Sequence, residues 1–489
     1  MPRPWALVAL LALAACSGGS SDNTRTVPTL AWGGFRHDSA NSAIGRGVSN
    51  NKGEVILLYP TKGGTTGSTP AVDNNGVIFL GTRDGLVSLD KDGLVRWTAD
   101  ACELESGQVI PLGPIFSSPT VTAGRDIVVA TEATATTPGM VFDFRERSSS
   151  VADCKWAFVP GVASIRSSAQ VQVDALDLSL LSVFIGTGDG TLQAINGTGT
   201  PRWAFPAAPG PITSTVAVDP SGPFYVTTPD GVLTAIDSAG RPLWRLPIGA
   251  PPAGALQQSP AVGASIYAFG ANGALFGINP SGTVKWQYQP QAIVPGSPAF
   301  AAQSIDVGSE VLLDTIVYLA DENGDLYGVR DQTGEIWDRQ YCFEAKDVTT
   351  CRMDGCPPDK GTCDAEKNRC CVGDTCNDTK CTPDSCQSGQ GTCVSTPALI
   401  PVNPDEAVPV ETSPAVSGDF FIIVGTADGR VCARNLDTTV PGDKDNPSNP
   451  WLSNGCIALG DGLPVRSSPA IGPGGAIHVT TDSGLYIIK

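Results

Sequence analysis

The fold is decided by a stretch that reads, from residue 68 to residue 97, STPAVDNNGVIFLGTRDGLVSLDKDGLVRW. Two apolar runs flank Asp84-Gly85. An Asp-Gly pair in this setting predicts a β-hairpin, because both central residues of a type I′ turn need a positive φ. A further short strand and a turn glycine follow, and the stretch closes on Trp97. This order predicts one unit of short antiparallel strands.

The same unit recurs along the chain at a period of roughly 40 to 50 residues, the range of propellers and solenoids. Eight copies open on a motif similar to Ser-Pro-Ala-Val, beginning at Ser68, Ser118, Ser168, Ser214, Ser259, Ser297, Ser413 and Ser468. One large aromatic per blade suits the interface between stacked blades. The tryptophans that close the units are Trp97, Trp156, Trp203, Trp244, Trp286, Trp337 and Trp451. The sequence therefore predicts an all-β, eight-bladed propeller of four-stranded antiparallel blades.

The eighth unit offers only three strands before Lys489. An orphan strand near the N-terminus, residues 53–60, aligns with residues 282–288 and places Leu57 at the tryptophan position. Pairing the two would remove two open sheet edges. We therefore expect residues 53–60 to complete the eighth blade and Leu57 to pack between blades.

The N-terminus predicts an extracytoplasmic, lipid-anchored protein. Residues 5–15 form an apolar run of 11 residues, which suits a signal peptide and is too short to span a bilayer. Leu13-Ala14-Ala15-Cys16 resembles the lipobox of bacterial lipoproteins, so we expect a lipid on Cys16; an ordinary secretory cleavage site is the alternative. The predicted layout is a signal peptide at 1–15, a flexible tether at 16–31, blades one to six with the closing strand at 32–341, a cysteine-rich insertion at 342–394, a Pro-rich linker at 395–411, and blades seven and eight at 412–489.

Fifteen cysteines is an odd number, and a lipid on Cys16 leaves 14 that can pair. The insertion has too few apolar residues for a core and lacks paired Cys-x₂-Cys knuckles, so disulfides are favoured over zinc. Its ten cysteines are Cys342, Cys351, Cys356, Cys363, Cys370, Cys371, Cys376, Cys381, Cys386 and Cys393. Cys432 and Cys456 are predicted to bridge within blade seven, and Cys102 and Cys154 are candidates near adjacent outer strands. We expect the insertion to join the outer strand of one blade to the inner strand of the next and to project from one face.

Composition argues against several chemistries. Only two histidines occur, His37 and His478, which leaves little material for a histidine triad or zinc site. The formal net charge is −18 without a basic run, so no nucleic acid is expected. Residues 321–325 superficially resemble a calcium loop but occupy a hairpin turn. We predict no metal site, and the loop with Asp443, Asp445 and Asn446 stays open as a calcium candidate.

Residues 69–97 resemble the pyrroloquinoline-quinone (PQQ) type of propeller repeat, and residues 32–41, WGGFRHDSAN, are similar to the segment that often precedes the first blade in that superfamily. The match covers about residues 32–341 and 410–489. One branch holds quinone-dependent dehydrogenases. The other holds non-catalytic propellers, among them a lipoprotein of the outer-membrane β-barrel assembly machinery.

For a dehydrogenase, the resemblance implies a cofactor on the propeller axis, between a tryptophan floor and two adjacent cysteines, with calcium and a catalytic aspartate beside it. Here the only adjacent pair, Cys370-Cys371, lies in the insertion, and every tryptophan after residue 90 already has a repeat position. We therefore expect no cofactor and no catalysis, but a monomeric, outer-membrane-anchored scaffold that binds membrane-associated proteins, with outer-membrane protein assembly as one role. Two alternatives stay open: a dehydrogenase using PQQ and calcium, and a surface-exposed binding protein acting through the insertion.

Overall fold

The structure, a computed structural model, describes residues 30–48, 50–61, 64, 66–161, 164–173, 181–219, 222–249, 258–306, 311–336, 362–364, 369–372, 375–380, 400–401, 408–419, 421–435 and 455–489. Within them, eight four-stranded antiparallel sheets form the blades of a propeller. The predicted fold is confirmed. No helix among the described residues has the length and apolarity needed to cross a membrane.

Each blade runs from a short inner strand near the axis to an outer strand at the rim. The strands are Ala71–Val72, Ile78–Thr82, Gly85–Leu89 and Val95–Ala99 in blade one; Thr120–Val121, Asp126–Ala130, Val141–Ser148 and Val151–Phe158 in blade two; Gln170–Val173, Leu181–Gly186, Thr191–Asn196 and Pro201–Pro206 in blade three; and Ala217–Val218, Phe224–Thr227, Val232–Ile236 and Pro242–Pro247 in blade four. They are Ala261–Val262, Ile266–Phe269, Leu275–Ile278 and Val284–Tyr288 in blade five; Ala299–Asp306, Val311–Ala320, Asp325–Arg330 and Ile400–Pro401 in blade six; Ala415–Val416, Phe421–Gly425, Arg430–Asn435 and Cys456–Ala458 in blade seven; and Ala470–Ile471, Ile477–Thr481, Gly484–Ile488 and Val55–Pro60 in blade eight.

Four smaller elements complete the described chain. Ala101–Glu103 and Val109–Pro111 form a hairpin after blade one, and Ala271–Gly273 and Pro473–Gly475 are single 3₁₀ turns. Thr362–Asp364, Arg369–Val372 and Thr375–Lys380 form a three-stranded sheet in the insertion.

The middle strands of a blade are buried on both faces because neighbouring blades stack on each side. Every residue of Ile78–Thr82 and Gly85–Leu89 is buried, whereas Val95–Ala99 at the rim mixes exposed and buried positions. A strand covered on both faces needs a continuous apolar run rather than strict alternation. This explains why the repeat reads as two apolar runs around a polar turn.

Four of the predicted packing tryptophans make one shared contact, which we call the tryptophan dock. In each case the indole Nε1 donates a hydrogen bond to a turn carbonyl of the next blade: Trp156 to Gly197 (3.1 Å), Trp203 to Ser238 (3.1 Å), Trp244 to Pro280 (2.9 Å) and Trp286 to Asp331 (2.6 Å). The indole also lies against a turn glycine of that next blade. These glycines are, in the same order, Gly199, Gly240, Gly282 and Gly334. Trp97 instead donates to Glu146 of blade two at 2.8 Å. Trp337 and Trp451 lie outside the described residues.

Closure of the ring by the N-terminal strand is confirmed, but the prediction for Leu57 is wrong. Val55–Pro60 pairs antiparallel with Gly484–Ile488, and a bulge falls between Leu57 and Tyr59. In blade one the bulge comes earlier in the outer strand, just before Trp97. On the partner strand it falls between Leu89 and Ser88, and Ser88 is the residue that pairs with Trp97. The later bulge leaves Leu57 44% exposed and puts Leu58 against the turn glycine Gly93 of blade one. Leu58 therefore takes the place of a docked tryptophan.

Two disulfides lie in the propeller. Cys432 and Cys456 are direct partners on the third and outer strands of blade seven. Cys102, on the hairpin after blade one, is bonded to Cys154 on the outer strand of blade two. The second bridge therefore joins two blades, and Cys102 and Cys432 are fully buried.

The insertion leaves the propeller at the rim, which corrects the expectation that it joins two blades on one face. Ile336 pairs with Val329, and Ile400–Pro401 pairs with Asp325 and Leu326 of the same strand. The insertion thus interrupts the outer strand of blade six, and two residues of the predicted linker belong to that strand. An outer strand has a partner on one side only, so an interruption there breaks few hydrogen bonds. The pairing of the ten insertion cysteines concerns side chains outside the described part.

Leu58→Ala should lower the free energy of unfolding by about 1–2 kcal/mol, because it removes half-buried apolar contacts at the closing seam. Leu57→Ala, one residue away and exposed, should change it by less than about 0.5 kcal/mol. Urea unfolding followed by tryptophan fluorescence measures both. Equal losses in the two variants would contradict the assigned bulge.

Gly240→Ala should destabilise the protein more than Gly107→Ala. Both glycines have φ of +80°, but a Cβ on Gly240 would lie 2.6 Å from the Trp203 ring, whereas nothing lies within 4 Å of one on Gly107. Gly107→Ala therefore measures backbone strain alone, about 1 kcal/mol, and Gly240→Ala adds an overpacking cost of about 1–3 kcal/mol. Thermal and urea unfolding compare the pair, and matching losses would show that the dock tolerates a methyl group.

Candidate functional site

The opener motif forms a series of seven hydrogen bonds around the axis, from blade one to blade eight, and we call these opener residues the hub ring. In each step the backbone N–H of an opener donates to the opener hydroxyl of the next blade. The donor and acceptor residues are Thr69 and Ser118 (3.0 Å), Ser118 and Ser168 (2.9 Å), Ser168 and Thr215 (3.3 Å), Thr215 and Ser259 (2.8 Å), Ser259 and Ser297 (2.9 Å), Ser297 and Ser413 (2.9 Å), and Ser413 and Ser468 (3.2 Å). The repeated hydroxyl residue is thus a link between blades.

Residues 32–48, the axial segment, fill the channel between the inner strands, beneath this ring. Trp32 and Val72 exchange two backbone hydrogen bonds of 2.8 and 2.7 Å. Further carbonyls of the segment accept the inner-strand N–H groups of other blades: Gly33 from Val121, Ser39 from Val218, Ala40 from Val262, Ser42 from Phe300 and Ala43 from Val416. Gln170 of blade three donates to Asn41 at 2.7 Å, and a Cβ on Gly45 would meet Ile471 of blade eight. The segment therefore contacts the inner strands of all eight blades.

Two polar side chains anchor the axial segment. The fully buried Arg36 guanidinium donates from Nε to the Asn41 carbonyl (3.2 Å), from Nη1 to the Ser297 carbonyl (3.1 Å), and from Nη2 to the Pro298 carbonyl. Burial lowers the pKa of Arg36 to about 9, and the nearby Asp38 carboxylate opposes this shift. The Asn41 amide donates to the Pro260 carbonyl at 2.8 Å. These bonds fix the segment to blades five and six.

Above the axial segment the hub-ring face opens into a cavity of about 570 Å³, which we call the funnel. Its floor is Phe35, and its wall is the ring of opener residues. Its rim takes side chains that differ from blade to blade: Phe116, Arg166, Thr213, Pro295, Glu411 and Arg466 from the openers, and Arg83 and Asp482 from neighbouring turns. All eight blades contribute to this lining.

The rim of the funnel carries charged side chains on two sides. On one side the guanidinium carbons of Arg83 and Arg166 lie 5.8 and 5.1 Å from the centre of the Phe116 ring, and Arg166 also pairs with Glu132 through Nε. On the other side Arg466 pairs with Glu411 at 3.2 Å and with Asp482 at 3.5 Å. One arginine thus pairs with both carboxylates of the lining, which leaves this side of the rim negative.

A second cavity, of about 380 Å³, lies on the opposite face at the seam between blades eight and one. Asn51, Lys52, Lys91 and His478 contribute to its lining. Burial lowers the pKa of His478 to about 4, so this side chain is neutral near pH 7. A buried neutral imidazole beside a strand carbonyl is a packing residue.

The described residues do not form a metal cluster. No group of three or more His, Cys, Asp or Glu that could hold a metal ion occurs among them. Asp321 accepts hydrogen bonds from the amides of Asn323 and Asp325, which is the hairpin-turn role expected from the sequence. Asp443, Asp445 and Asn446, like the lipid-attachment candidate Cys16, lie outside the described residues.

The funnel does not match the donor set that the sequence resemblance implies for a quinone. Among the described residues that line it there is neither a tryptophan nor a cysteine. Its two carboxylates are paired with Arg466, and the axis beneath it is filled by the axial segment. Cys370 and Cys371 lie on a strand of the insertion sheet. No catalytic step that uses the quinone is therefore derived for this protein.

Residues 188–352 match the family model PQQ_2, described as outer membrane protein assembly factor BamB. The chain carries PQQ-type propeller repeats. The matched stretch runs from the second hairpin of blade three into the insertion, and the hub ring and tryptophan docks extend the same repeat to blades on both sides of it.

A solved structure shows the same fold. The crystal structure of BamB from Moraxella catarrhalis is similar with a TM-score of 0.50 and 14% identity, over 89% of this chain and 95% of that one. The crystal structure of Saccharomyces cerevisiae Sqt1 gives a TM-score of 0.42 and 13% identity, over 55% and 71% of the two chains. At these identities the likeness to BamB shows the fold alone, and that to Sqt1 carries no argument. A search of curated proteins found no match.

Arg36→Ala should lower the free energy of unfolding by about 2–4 kcal/mol, because it leaves buried carbonyls unpaired and opens a cavity. Arg46→Ala is the matched control in the same segment: Arg46 is exposed and bonds Asn74 at 2.8 Å, so the expected change is below about 0.5 kcal/mol. Urea unfolding measures both. Similar stabilities for the two variants would mean that the axial segment does not support the hub.

Proposed function

We propose that this protein is a lipid-anchored, non-catalytic scaffold of the bacterial outer membrane that binds protein partners during outer-membrane protein assembly. The observation that carries the proposal is the filled axis: residues 32–48 occupy the channel where a propeller enzyme would hold its cofactor. Partner recognition then falls to the two faces and the outer edge of the propeller, as in a rigid scaffold with exposed loops. The family description as an outer membrane protein assembly factor supports the same role.

The path of the axial segment supports a free funnel. Trp32 pairs antiparallel with Val72, so Leu30 and Ala31 run toward Asp73 and its turn, away from the hub ring. The segment leaves on the same face, where Asn51 donates to the Gly475 carbonyl at 2.9 Å. A tether leading to Cys16 therefore starts on the face opposite the funnel, and an anchored propeller keeps the funnel open to partners.

The two propeller disulfides support an extracytoplasmic location. Disulfides persist in oxidising compartments such as the periplasm and are rare where thiols are kept reduced. Both bridges lie within the packed propeller, where Cys102, Cys154 and Cys432 are buried and Cys456 is partly buried. This agrees with the signal peptide expected from the sequence.

A second candidate function is partner binding through the cysteine-rich insertion. The insertion has its own three-stranded sheet and leaves from the outer strand of blade six. A module at the rim can engage a partner independently of the funnel face. Deleting residues 342–394 separates the two surfaces without removing any hub-ring residue.

A photo-crosslinking residue at Thr213 on the funnel rim, introduced in the full-length protein in its native membrane, should capture barrel-assembly proteins. The same residue at Leu313, which is 70% exposed on blade six, is the control outside the funnel. Mass spectrometry identifies the captured proteins. Capture that depends only on the insertion would favour the second candidate, and capture of no envelope protein from any site would contradict the scaffold role.

Purified protein supplied with PQQ and calcium should show no dye-linked oxidation of alcohols or aldoses, because the axial residues do not fit the quinone. Activity is measured against a matched sample without PQQ. Quinone-dependent turnover above that background would overturn the non-catalytic assignment.

A further inference from the structure

We propose that the funnel binds an acidic, extended segment of a protein partner, with Arg83 and Arg166 as the residues that receive its carboxylates. This inference rests on the proposed scaffold function and specifies the chemistry of its partner. It starts from the uneven distribution of charge around the rim.

The whole chain is acidic, with a formal net charge of −18, yet the funnel rim carries three arginines and two carboxylates. Both carboxylates, those of Glu411 and Asp482, form ion pairs with Arg466. Arg83 makes no ion pair with any residue that the structure describes, and Arg166 is held by Glu132 through Nε. The Arg83 side of the rim is therefore the positive side.

The two arginines are held in place by an aromatic ring. Both guanidinium carbons lie within 6 Å of the Phe116 centroid, the range of a cation–π contact. Stacking on a ring restrains a guanidinium plane while leaving its N–H edge free for a carboxylate. Such an edge can bind a carboxylate in a bidentate way, which a lysine cannot reproduce. Phe116 thus orients these side chains before any ligand arrives.

Further positive charge lies beneath the floor. Arg36 directly follows the floor residue Phe35, and its guanidinium is fully buried among carbonyls. It forms no ion pair within 4 Å among the described residues. The nearby ionised Asp38 carboxylate offsets this charge, so the attraction for an anion comes from the rim arginines rather than from Arg36.

The size and floor of the funnel indicate a peptide. Its volume of about 570 Å³ admits a few side chains of an extended segment and no folded domain. Phe35 and Phe116 offer apolar surface beside the arginines. A segment that combines carboxylates with an apolar side chain satisfies both features. The membrane is an unsuitable source of the anion, because the axial segment enters and leaves on the opposite face.

The test uses fluorescein-labelled peptides with the sequence Glu-Glu-Phe-Gly-Glu-Glu, and the same peptide with lysine or glutamine at every glutamate position. Binding to the full-length protein is measured by anisotropy at low salt and at 0.15 M salt. We expect the glutamate peptide to bind at least tenfold more tightly than either other peptide, and added salt to weaken it. Equal binding of the three peptides, or none at millimolar protein, would overturn the proposal.

The variants then locate the site. Arg83→Ala should weaken the glutamate peptide at least fivefold, and Arg83→Lys should recover only part of that loss. Arg202→Ala and Arg241→Ala remove exposed arginines outside the funnel and should change binding less than twofold. All three positions are exposed, and thermal unfolding checks that each of the four variants is folded. A loss in Arg241→Ala as large as in Arg83→Ala would show non-specific attraction and contradict the site.

The two proposals can fail separately. If crosslinking from Thr213 captures assembly proteins but the acidic peptide does not bind, the scaffold role stands and the acidic-segment inference is wrong. If the peptide binds through Arg83 but no envelope partner is captured, the funnel chemistry stands and the scaffold role is wrong.

Discussion

Backbone hydrogen bonds at the axis are the constraint on which the rest of this propeller depends. Most inner strands are only two residues long, and their axial side has no neighbouring strand. Their N–H groups would therefore be buried without partners, which proteins rarely tolerate. The hydroxyls of the hub ring accept hydrogen bonds from the N–H groups of the opener residues. Carbonyls of the axial segment accept hydrogen bonds from the N–H groups of the inner strands that follow. The fold thus requires a piece of its own chain on the axis.

The sequence predicted the blades because the repeat constrains them at every level. Opener, turn dipeptide and tryptophan recur at matching places, so errors at single positions average out. Leu57 shows what averaging misses: a bulge shifted by one residue reverses which side chain packs, and no residue type marks a bulge. The axial segment was recognised only as a prelude to blade one. It has no strand or helix period, and its contacts reach residues as far along the chain as Ile471.

The funnel could not be predicted for a related reason. Repeat analysis retains what the units share, and the shared opener residues build the hub ring. The rim is built from the position two residues before each hub-ring hydroxyl, where Phe116, Arg166, Glu411 and Arg466 differ in chemistry. Their significance appears only when the ring brings them around one opening. In a repeat protein, binding chemistry is expected at the variable positions and stability at the constant ones.

The closing strand also sets the order of folding. Asn51 bonds the carbonyl of Ile488, 437 residues later in the chain, and Val55–Pro60 pairs with the last strand. Contacts of such long sequence separation form slowly, because the loop entropy is lost before any contact repays it. Until the last strand is present, the first strand has no partner in its sheet and the axial segment lacks its contact with blade eight. The folding chain therefore passes through a period with open edges and exposed apolar faces, which makes it prone to aggregation.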